Sequence, residues 1–139
     1  MRKIIHVVDD DASVRAATSF LLSSHGYSTR IYDGGREFLR QADLEVGCVL
    51  LDLRMAGMSG LEVLEALQER ESSAPVIILT GHGDVATAVR ALKLGAVDFI
   101  QKPYDEGDLI AAIERALAAR GRDARRHEAK RVAVEQVER

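Results

Sequence analysis

The stretch that decides the fold is Cys48-Val-Leu-Leu-Asp52-Leu-Arg54-Met-Ala-Gly57-Met-Ser-Gly60. It begins with a short apolar run, continues with a single carboxylate and ends in a glycine-containing turn. Such a run is typical of a strand buried on both faces of a parallel sheet. Asp52 would then lie at the carboxyl end of that strand, where open parallel sheets bind ligands. Because an unpaired carboxylate is costly to desolvate, Asp52 predicts a cation or hydrogen-bond donors close by.

Further strand-helix units flank this stretch on both sides. The sequence predicts five strands, at residues 4–8, 27–32, 47–52, 75–80 and 96–100, each followed by a helix. The second strand is the most polar, so we place it at the edge of the sheet. This alternation predicts an α/β fold with a five-stranded parallel sheet in the order 2-1-3-4-5 and helices on both faces.

Local signals predict where the helices begin and end. Acidic residues mark the expected starts of the first, second and fourth helices, at Asp11, Asp33 and Asp84. Ser59-Gly60 is expected to open the third helix, and Asp105 or Glu106 the last, which we predict to run through Leu117. In the fourth helix, helical spacing predicts a core-facing side made of Val85, Ala88, Val89 and Leu92.

Composition limits the class of protein. The 139 residues suit one domain, and no apolar run approaches the ~20 residues that a membrane span needs. We find no signal peptide, and the single Cys48 excludes a disulfide framework and predicts a small buried hydrophobe. We therefore expect a cytoplasmic protein with no membrane partner.

Charge is unevenly distributed along the chain. Residues 1–113 carry a balance of −6, whereas residues 114–139 carry +3. An acidic body does not predict direct binding of nucleic acid. We expect a domain over residues 1–120, and we interpret residues 121–139 as a charged helical extension, a linker or disorder.

Polar side chains end four of the predicted strands. Asp9 and Asp10 follow the first, Asp52 ends the third, Thr80 ends the fourth and Lys102 follows the fifth. In a parallel sheet these ends meet at one edge. Three neighbouring carboxylates repel one another, and Mg²⁺, which prefers oxygen ligands and can also hold phosphate, would relieve that repulsion. Lys102 and Thr80 could contact phosphoryl oxygens, which leaves Asp52 as the nucleophile that forms an acyl phosphate.

Five segments together resemble the receiver domains of two-component response regulators, which have a CheY-like, flavodoxin-like fold. The resemblance covers residues 4–117 and is closest to the nitrogen-fixation regulator subgroup, in which the receiver precedes a helix-turn-helix domain. The segments are Val7-Val-Asp-Asp10, Leu51-Asp-Leu-Arg-Met55, Met58-Ser-Gly60, Thr80-Gly-His-Gly-Asp84 and Ala96-Val-Asp-Phe-Ile-Gln-Lys-Pro103.

The resemblance implies Mg²⁺-dependent phosphorylation of Asp52 by a sensor histidine kinase, with only slow self-dephosphorylation and no enzymatic turnover. Asp10 and Asp52 would bind Mg²⁺ directly, together with the backbone carbonyl of Arg54, and Asp9 would act through water. The peptide bond before Pro103 is usually cis in this family.

The resemblance also implies a switch. Thr80 would move toward the phosphoryl group and Phe99 would turn inward, which would reshape the face formed by the fourth helix, fifth strand and fifth helix. A homodimer through that face is expected, and transcription would be regulated through a DNA-binding domain outside this chain.

Two prolines common in the family are replaced, by Ala56 and Ala86. We expect modest effects, since neither position is predicted to touch a charged ligand.

Other interpretations remain open at this point. An Asp-nucleophile phosphatase would favour an acid where Arg54 stands, and a stand-alone receiver would act only through protein contacts. Residues 81–86 also match the dinucleotide pattern G-x-G-x-x-A, although that pattern belongs on the first strand of a larger fold. Of the histidines, we predict His6 in the core, and His25, His82 and His127 at the surface.

Overall fold

Five parallel strands alternate with five helices in the computed structural model, which describes residues 3–81 and 83–137, with side chains as far as residue 122. The elements are β1 (Ile4–Val8), α1 (Ala12–Ser24), β2 (Ser28–Tyr32), α2 (Gly35–Gln41), β3 (Cys48–Asp52), α3 (Gly60–Glu69), β4 (Val76–Thr80), α4 (Val85–Lys93), β5 (Asp98–Gln101) and α5 (Glu106–Val137). The sheet order is β2-β1-β3-β4-β5, with every pair parallel. The predicted fold and the edge position of β2 are confirmed.

The sheet separates two apolar cores, because successive strand residues point to opposite faces. In β3, Val49 and Leu51 face a core shared with α2, α3 and α4, whereas Cys48 and Leu50 face a core shared with α1 and α5. All four side chains are fully buried. Each buried leucine contributes about 2 kcal/mol to folding. Because both faces of β3 are buried, its residues do not alternate between apolar and polar.

The strand register brings the carboxyl ends of the strands to one edge. Val8 lies beside both Tyr32 and Leu51, and Thr80 lies beside Gln101. We call this side of the sheet the carboxyl edge. The residues that follow β1, β3 and β5 therefore emerge close together.

Two predicted helix starts carry the expected caps. Oδ1 of Asp11 accepts hydrogen bonds from the amides of Ser13 and Val14 at the start of α1. Ser59 and Glu62 form a reciprocal capping box at the start of α3, an arrangement in which the cap alone stabilises a helix by about 1 kcal/mol. A Cβ on Gly60 would lie 2.8 Å from the carbonyl oxygen of Asp52, so glycine allows α3 to begin directly against β3.

Of two other predicted caps, one is wrong and one is right in position only. Gly34, not Asp33, occupies the N-cap of α2, because the helix begins at Gly35. Asp84 does occupy the N-cap position of α4, but its carboxylate makes no hydrogen bond to the helix. That carboxylate binds Arg54 instead.

Of the predicted core face of α4, only Ala88 is confirmed. The helix packs on the sheet through Ala88 and Ala91, while Val85, Val89 and Leu92 are 59%, 42% and 36% exposed. Small residues allow the helix to lie close to the sheet, and this rotates the larger side chains outward. The hydrophobic pattern therefore identified an exposed apolar strip.

The fifth strand begins two residues later than predicted. The amide of Ala96 bonds to the carbonyl of Ala91 and closes the end of α4, after Gly95 at φ 110°. Ala96 is therefore part of the helix terminus. Strand pairing in β5 starts at Asp98.

The last helix continues well beyond Leu117, to Val137. Residues 121–137 are therefore helical, and whether they serve as an extension or a linker stays a prediction. Before this extension, Arg120 Nη1 donates to Gly47 O at 2.9 Å and its Nη2 donates to Leu44 O at 2.6 Å. This attaches α5 to the loop between α2 and β3.

The predictions for Cys48 and His6 as core residues are confirmed. Both are fully buried, and burial raises the pKa of the Cys48 thiol to about 12. His6 Nε2 lies 3.0 Å from the carbonyl oxygen of Val46 and Nδ1 lies 3.1 Å from the Tyr32 hydroxyl. Because a carbonyl only accepts, Nε2 carries the proton and Nδ1 accepts from Tyr32. Burial lowers the pKa of His6.

The remaining histidines are His25, His82 and His127. His25 lies at the surface as predicted, 2.6 Å from Glu106, whereas the side chains of His82 and His127 lie outside the described residues. Across the described residues, none of the helices combines the length and apolar character of a membrane span.

Candidate functional site

Three carboxylates meet at the carboxyl edge. Asp9 and Asp10 follow β1, and Asp52 ends β3 on the neighbouring strand. One oxygen from each lies within 4.8 Å of the others. Asp9 is buried, Asp52 is partly buried and Asp10 is exposed. The cluster therefore opens to solvent on the side of Asp10.

Asp9 has one carboxylate oxygen satisfied and one that is not. Oδ1 accepts from the amide of Asp11 at 2.9 Å. Oδ2 is buried and makes no hydrogen bond to any described residue, and Lys102 Nζ lies 3.5 Å from it. A buried oxygen of this kind is unfavourable unless positive charge compensates it, so the position suits a cation.

Asp10 is held by the loop that follows β3. The amide of Ala56 donates to Asp10 Oδ2 at 2.8 Å. The prediction that Ala56 touches no charged ligand residue is therefore wrong. The loop turns back over β1 and aims this N–H at the carboxylate, and a proline here would have no N–H to donate.

Asp52 lies between a positive and a negative neighbour. Burial raises the pKa of its carboxyl to about 6; Lys102 opposes that shift, and Asp9 adds to it. Its Oδ1 is 3.7 Å from Lys102 Nζ and accepts a long hydrogen bond, 3.4 Å, from the amide of Arg54. At neutral pH the carboxylate is therefore mainly ionised.

Lys102 reaches the cluster because of the geometry at the end of β5. Its amide donates to the carbonyl of Thr80 at 2.7 Å, and the following bond to Pro103 is cis, as predicted.

Thr80 is buried, and its hydroxyl donates to Ile100 O at 3.5 Å. Phe99 lies in β5 with 38% of its surface exposed.

One feature of the site was not predicted from the sequence, an ion pair between Arg54 and Asp84. The Arg54 side chain forms a two-point ion pair with Asp84, with Nε donating to Oδ2 at 2.9 Å and Nη2 donating to Oδ1. This pairing raises the pKa of Arg54 and lowers that of Asp84. The available signal was an arginine and an aspartate in loops that follow the adjacent strands β3 and β4.

The donor set at the carboxyl edge fits Mg²⁺. It offers carboxylate oxygens from three residues, one of them without a hydrogen bond, and one open side. Mg²⁺ prefers oxygen ligands and accepts one or two carboxylates while keeping several waters. The adjacent Lys102 ammonium suits an incoming anion such as a phosphoryl group.

Comparison with known proteins agrees with this arrangement. Residues 5–114 match the family described as response regulator receiver domain. The chain is 46% identical over 114 residues to the transcriptional regulatory protein FixJ of Bradyrhizobium diazoefficiens, covering 81% of this chain and 56% of that protein. It is 50% identical over 114 residues to the tetrathionate response regulatory protein TtrR of Salmonella typhimurium, covering 81% and 55%. The chain therefore spans little more than half the length of these relatives.

Solved structures show the same relationship. The FixJ-N crystal structure superposes with a TM-score of 0.79 at 42% identity, covering 85% of this chain and 95% of that one. Full-length FixJ from B. japonicum gives a TM-score of 0.81 at 39% identity, covering 96% and 69%. With the family match and the acidic cluster at the expected edge of the sheet, the chain belongs to the response regulator receiver domain family.

Proposed function

We propose that this receiver domain accepts a phosphoryl group from a phosphohistidine of a sensor histidine kinase onto Asp52. The observation that carries the proposal is the position of Lys102 Nζ, 3.7 Å from Asp52 and 3.5 Å from Asp9, beside a cluster of three carboxylates. A phosphoryl acceptor needs an ionised carboxylate with compensating positive charge nearby, and the pKa of about 6 for Asp52 leaves it ionised at neutral pH.

The transfer itself needs little from the protein beyond position and charge. An Asp52 oxygen would form the new O–P bond as the P–N bond to histidine breaks, and the histidine nitrogen would keep the bonding electrons. Lys102 would offset charge on the phosphoryl oxygens.

Asp10, Asp52 and the backbone carbonyl of Arg54 would hold Mg²⁺, with Asp9 acting through water. When bound, Mg²⁺ supplies positive charge that offsets repulsion among the carboxylates and the phosphoryl oxygens.

The switch would use residues on β4 and β5. The Thr80 hydroxyl, which now faces Ile100 O over a long 3.5 Å contact, would turn to the phosphoryl group. Phe99 would then move inward from its 38% exposed position. Because phenylalanine has no hydroxyl, that burial leaves no polar group without a partner.

The proposed output surface comprises exposed apolar side chains on α4, on β5 and at Val97, which directly precedes β5. Exposed patches of this kind mark association sites, so we propose that phosphorylation promotes a homodimer through the α4-β5-α5 face. The patch contains Val85, Val89, Leu92, Val97 and Phe99.

Regulation of transcription would follow through a DNA-binding domain outside residues 1–139, in the cytoplasm. The names of the relatives and their greater length support this part of the proposal.

Incubation with acetyl phosphate and Mg²⁺, followed by intact-mass and peptide analysis, tests the acceptor. We expect one phosphoryl adduct on Asp52, lost in Asp52→Asn and retained in Asp33→Asn, which changes an exposed aspartate directly after β2. An adduct on another residue would refute the assignment.

Two rival interpretations have less support. A phosphatase would favour a second acid two residues after the nucleophile, but Arg54 stands there and binds Asp84. Repeated turnover of a phosphate ester by wild type, but not by Asp52→Asn, would restore this alternative. The dinucleotide pattern follows β4, the fourth strand along the chain, rather than the first.

A further inference from the structure

The Arg54–Asp84 ion pair joins the loop that follows the acceptor Asp52 to the loop that follows the switch residue Thr80. Arg54 lies two residues after the acceptor Asp52, in the loop between β3 and α3. Asp84 ends the loop between β4 and α4. Its side chain is only 5% exposed, whereas that of Arg54 is 80% exposed.

The orientation of Asp84 points to a role in the loop rather than in the helix. An aspartate at a helix N-cap normally accepts hydrogen bonds from the first helical amides. Asp84 makes no such bond to α4, and both of its oxygens bind the Arg54 guanidinium. Two-point pairing with a guanidinium fixes geometry as well as charge.

This ion pair restrains the segment that the switch must move. Only residues 81–83 separate Thr80 from Asp84, whose amide bonds to the carbonyl of Gly81 at 3.3 Å. Because this connection is short, any shift of the Thr80 backbone that accompanies the turn of its hydroxyl toward Asp52 would be passed on to Asp84. While Asp84 remains bound to Arg54, that shift is opposed.

A phosphoryl group on Asp52 would also compete for Arg54. It adds a charge of roughly −1.5 to −2 and three strong acceptor oxygens. The Arg54 amide already lies 3.4 Å from Asp52 Oδ1, so the new charge would form close to the base of the Arg54 side chain. Its attraction would weaken the pairing of the guanidinium with Asp84.

We propose that the Arg54–Asp84 ion pair stabilises the unswitched arrangement of the loop between β4 and α4, and that phosphorylation of Asp52 releases it. Asp84 is thus a positioning residue that sets the balance between the two states. The inference rests on the proposed function of Asp52.

The test measures the switch population in the full chain by NMR. Amide shifts of Thr80 and of residues 85–93 are recorded for wild type before and after acetyl phosphate and Mg²⁺, which defines the two end points. Asp84→Asn removes the charge but keeps the size, Arg54→Lys keeps the charge but loses the two-point geometry, and Glu37→Gln is the control that breaks the exposed ion pair with Arg40 in α2.

For each amide, a straight line joins the chemical shifts of the unphosphorylated and phosphorylated wild type. We expect the shifts of unphosphorylated Asp84→Asn to move along this line toward the phosphorylated end point, which corresponds to a rise of about fivefold or more in the switched-to-unswitched ratio. Arg54→Lys should move part of the way, and Glu37→Gln should coincide with wild type. The same ratio change should raise the rate of phosphorylation by acetyl phosphate, which a purely structural loss would not do.

The outcomes that overturn the inference are distinct from those that overturn the acceptor assignment. If wild type gains its adduct on Asp52 but Asp84→Asn shows only local shift changes off that line, the ion pair does not control the switch. A loss of native spectrum in Asp84→Asn, with Arg54→Lys unshifted along the line, would also contradict it. If wild type gains no adduct, the proposed function fails and the inference fails with it.

Discussion

Lys102 Nζ lies 3.7 Å from Oδ1 of Asp52, across the intervening strand β4. Lys102 follows β5 and Asp52 ends β3, so only the folded sheet brings them together. The Lys102 side chain remains 31% exposed while that of Asp52 is 13% exposed. The ammonium therefore keeps part of its hydration and still acts on a largely desolvated carboxylate.

Lys102→Gln should raise the pKa of Asp52 above about 6, because burial raises that pKa and Lys102 is the largest influence that lowers it. Carboxyl ¹³C NMR titration in EDTA measures the change, with Lys93→Gln, which alters an exposed lysine in α4, as the control. Phosphorylation by acetyl phosphate should slow by about 10²-fold, the usual effect of removing a group that stabilises developing charge. An unchanged titration midpoint would contradict the role assigned to Lys102.

Asp9→Asn should weaken Mg²⁺ binding by about 10- to 100-fold, as expected for a group that acts through an outer shell. The reason is that Asp9 Oδ2 is buried without a hydrogen bond and contributes negative charge to the cluster. Calorimetric unfolding with increasing Mg²⁺ measures this, since metal that binds only the folded state raises Tm. Asp11→Asn, which keeps an oxygen at the N-cap of α1, should match wild type. An equal Mg²⁺ response in Asp9→Asn would remove Asp9 from the site.

Ala56→Pro should destabilise the protein in EDTA and enlarge the stabilisation that Mg²⁺ provides. The substitution removes the N–H that donates to Asp10 Oδ2 at 2.8 Å. Without that bond, more of the charge on Asp10 is left for a cation to offset. Urea unfolding with and without Mg²⁺ gives both values, and Ala56→Gly, which keeps the N–H, is the control. A smaller Mg²⁺ increment in Ala56→Pro would show that the amide instead aids binding.

His6 should make stability depend on pH. Burial lowers its folded pKa below the usual 6.5, so the unfolded chain binds more protons between the two pKa values. The contribution of neutral, buried His6 to the free energy of unfolding is complete above about pH 6.5. It is lost as pH falls toward the folded pKa, by at most about 1.4 kcal/mol per pH unit.

Asp52 titrates with the opposite sign, because its raised pKa of about 6 makes the folded state bind more protons. The measurement therefore compares Asp52→Asn with the double variant Asp52→Asn and His6→Gln, by urea unfolding from about pH 8 to 5. Equal slopes would show that His6 contributes nothing.

Cys48 should resist thiol reagents in the folded protein. Its pKa of about 12, against 9.0 for an ordinary thiol, implies about a thousandfold less thiolate near neutral pH. We expect Ellman's reagent to react slowly without denaturant and rapidly in urea. Rapid reaction of native protein would mean that the strand β3 opens readily.

The strands could be predicted because each depends on residues close in sequence, and the acidic cluster could be predicted because the carboxyl ends of parallel strands meet at one edge of a sheet. Mostly apolar runs marked β1, β3 and β4, with His6 the one interruption, in β1, and a polar residue at or after the end of each run marked the carboxyl edge. The cap on α1 was equally local, since Asp11 accepts from the amides two and three residues later, those of Ser13 and Val14.

Three of the errors came from contacts between distant segments, whereas the misplaced cap of α2 and the late start of β5 have local causes. Asp84 had the sequence position of a helix cap, but Arg54 in another loop competes for its carboxylate. The valines of α4 had the spacing of a core face, but the sheet accepts only Ala88 and Ala91. The bond between Ala56 and Asp10 depends on how a loop turns back over β1. The spacing of residues along the chain does not predict any of these contacts.

The hydrogen bonds from Arg120 to Leu44 and Gly47 fix α5 at that point, and the part of the helix after Arg120 extends away from it. From Arg120 to Val137 the helix extends about 25 Å at 1.5 Å per residue. A tilt of about 10° at the attachment point would displace the far end by about 4 Å, nearly twice the radius of about 2.3 Å at which the Cα atoms lie from a helix axis. Angular changes too small to disturb the packing around β3 would thus become displacements large enough to separate or align whatever the helix carries.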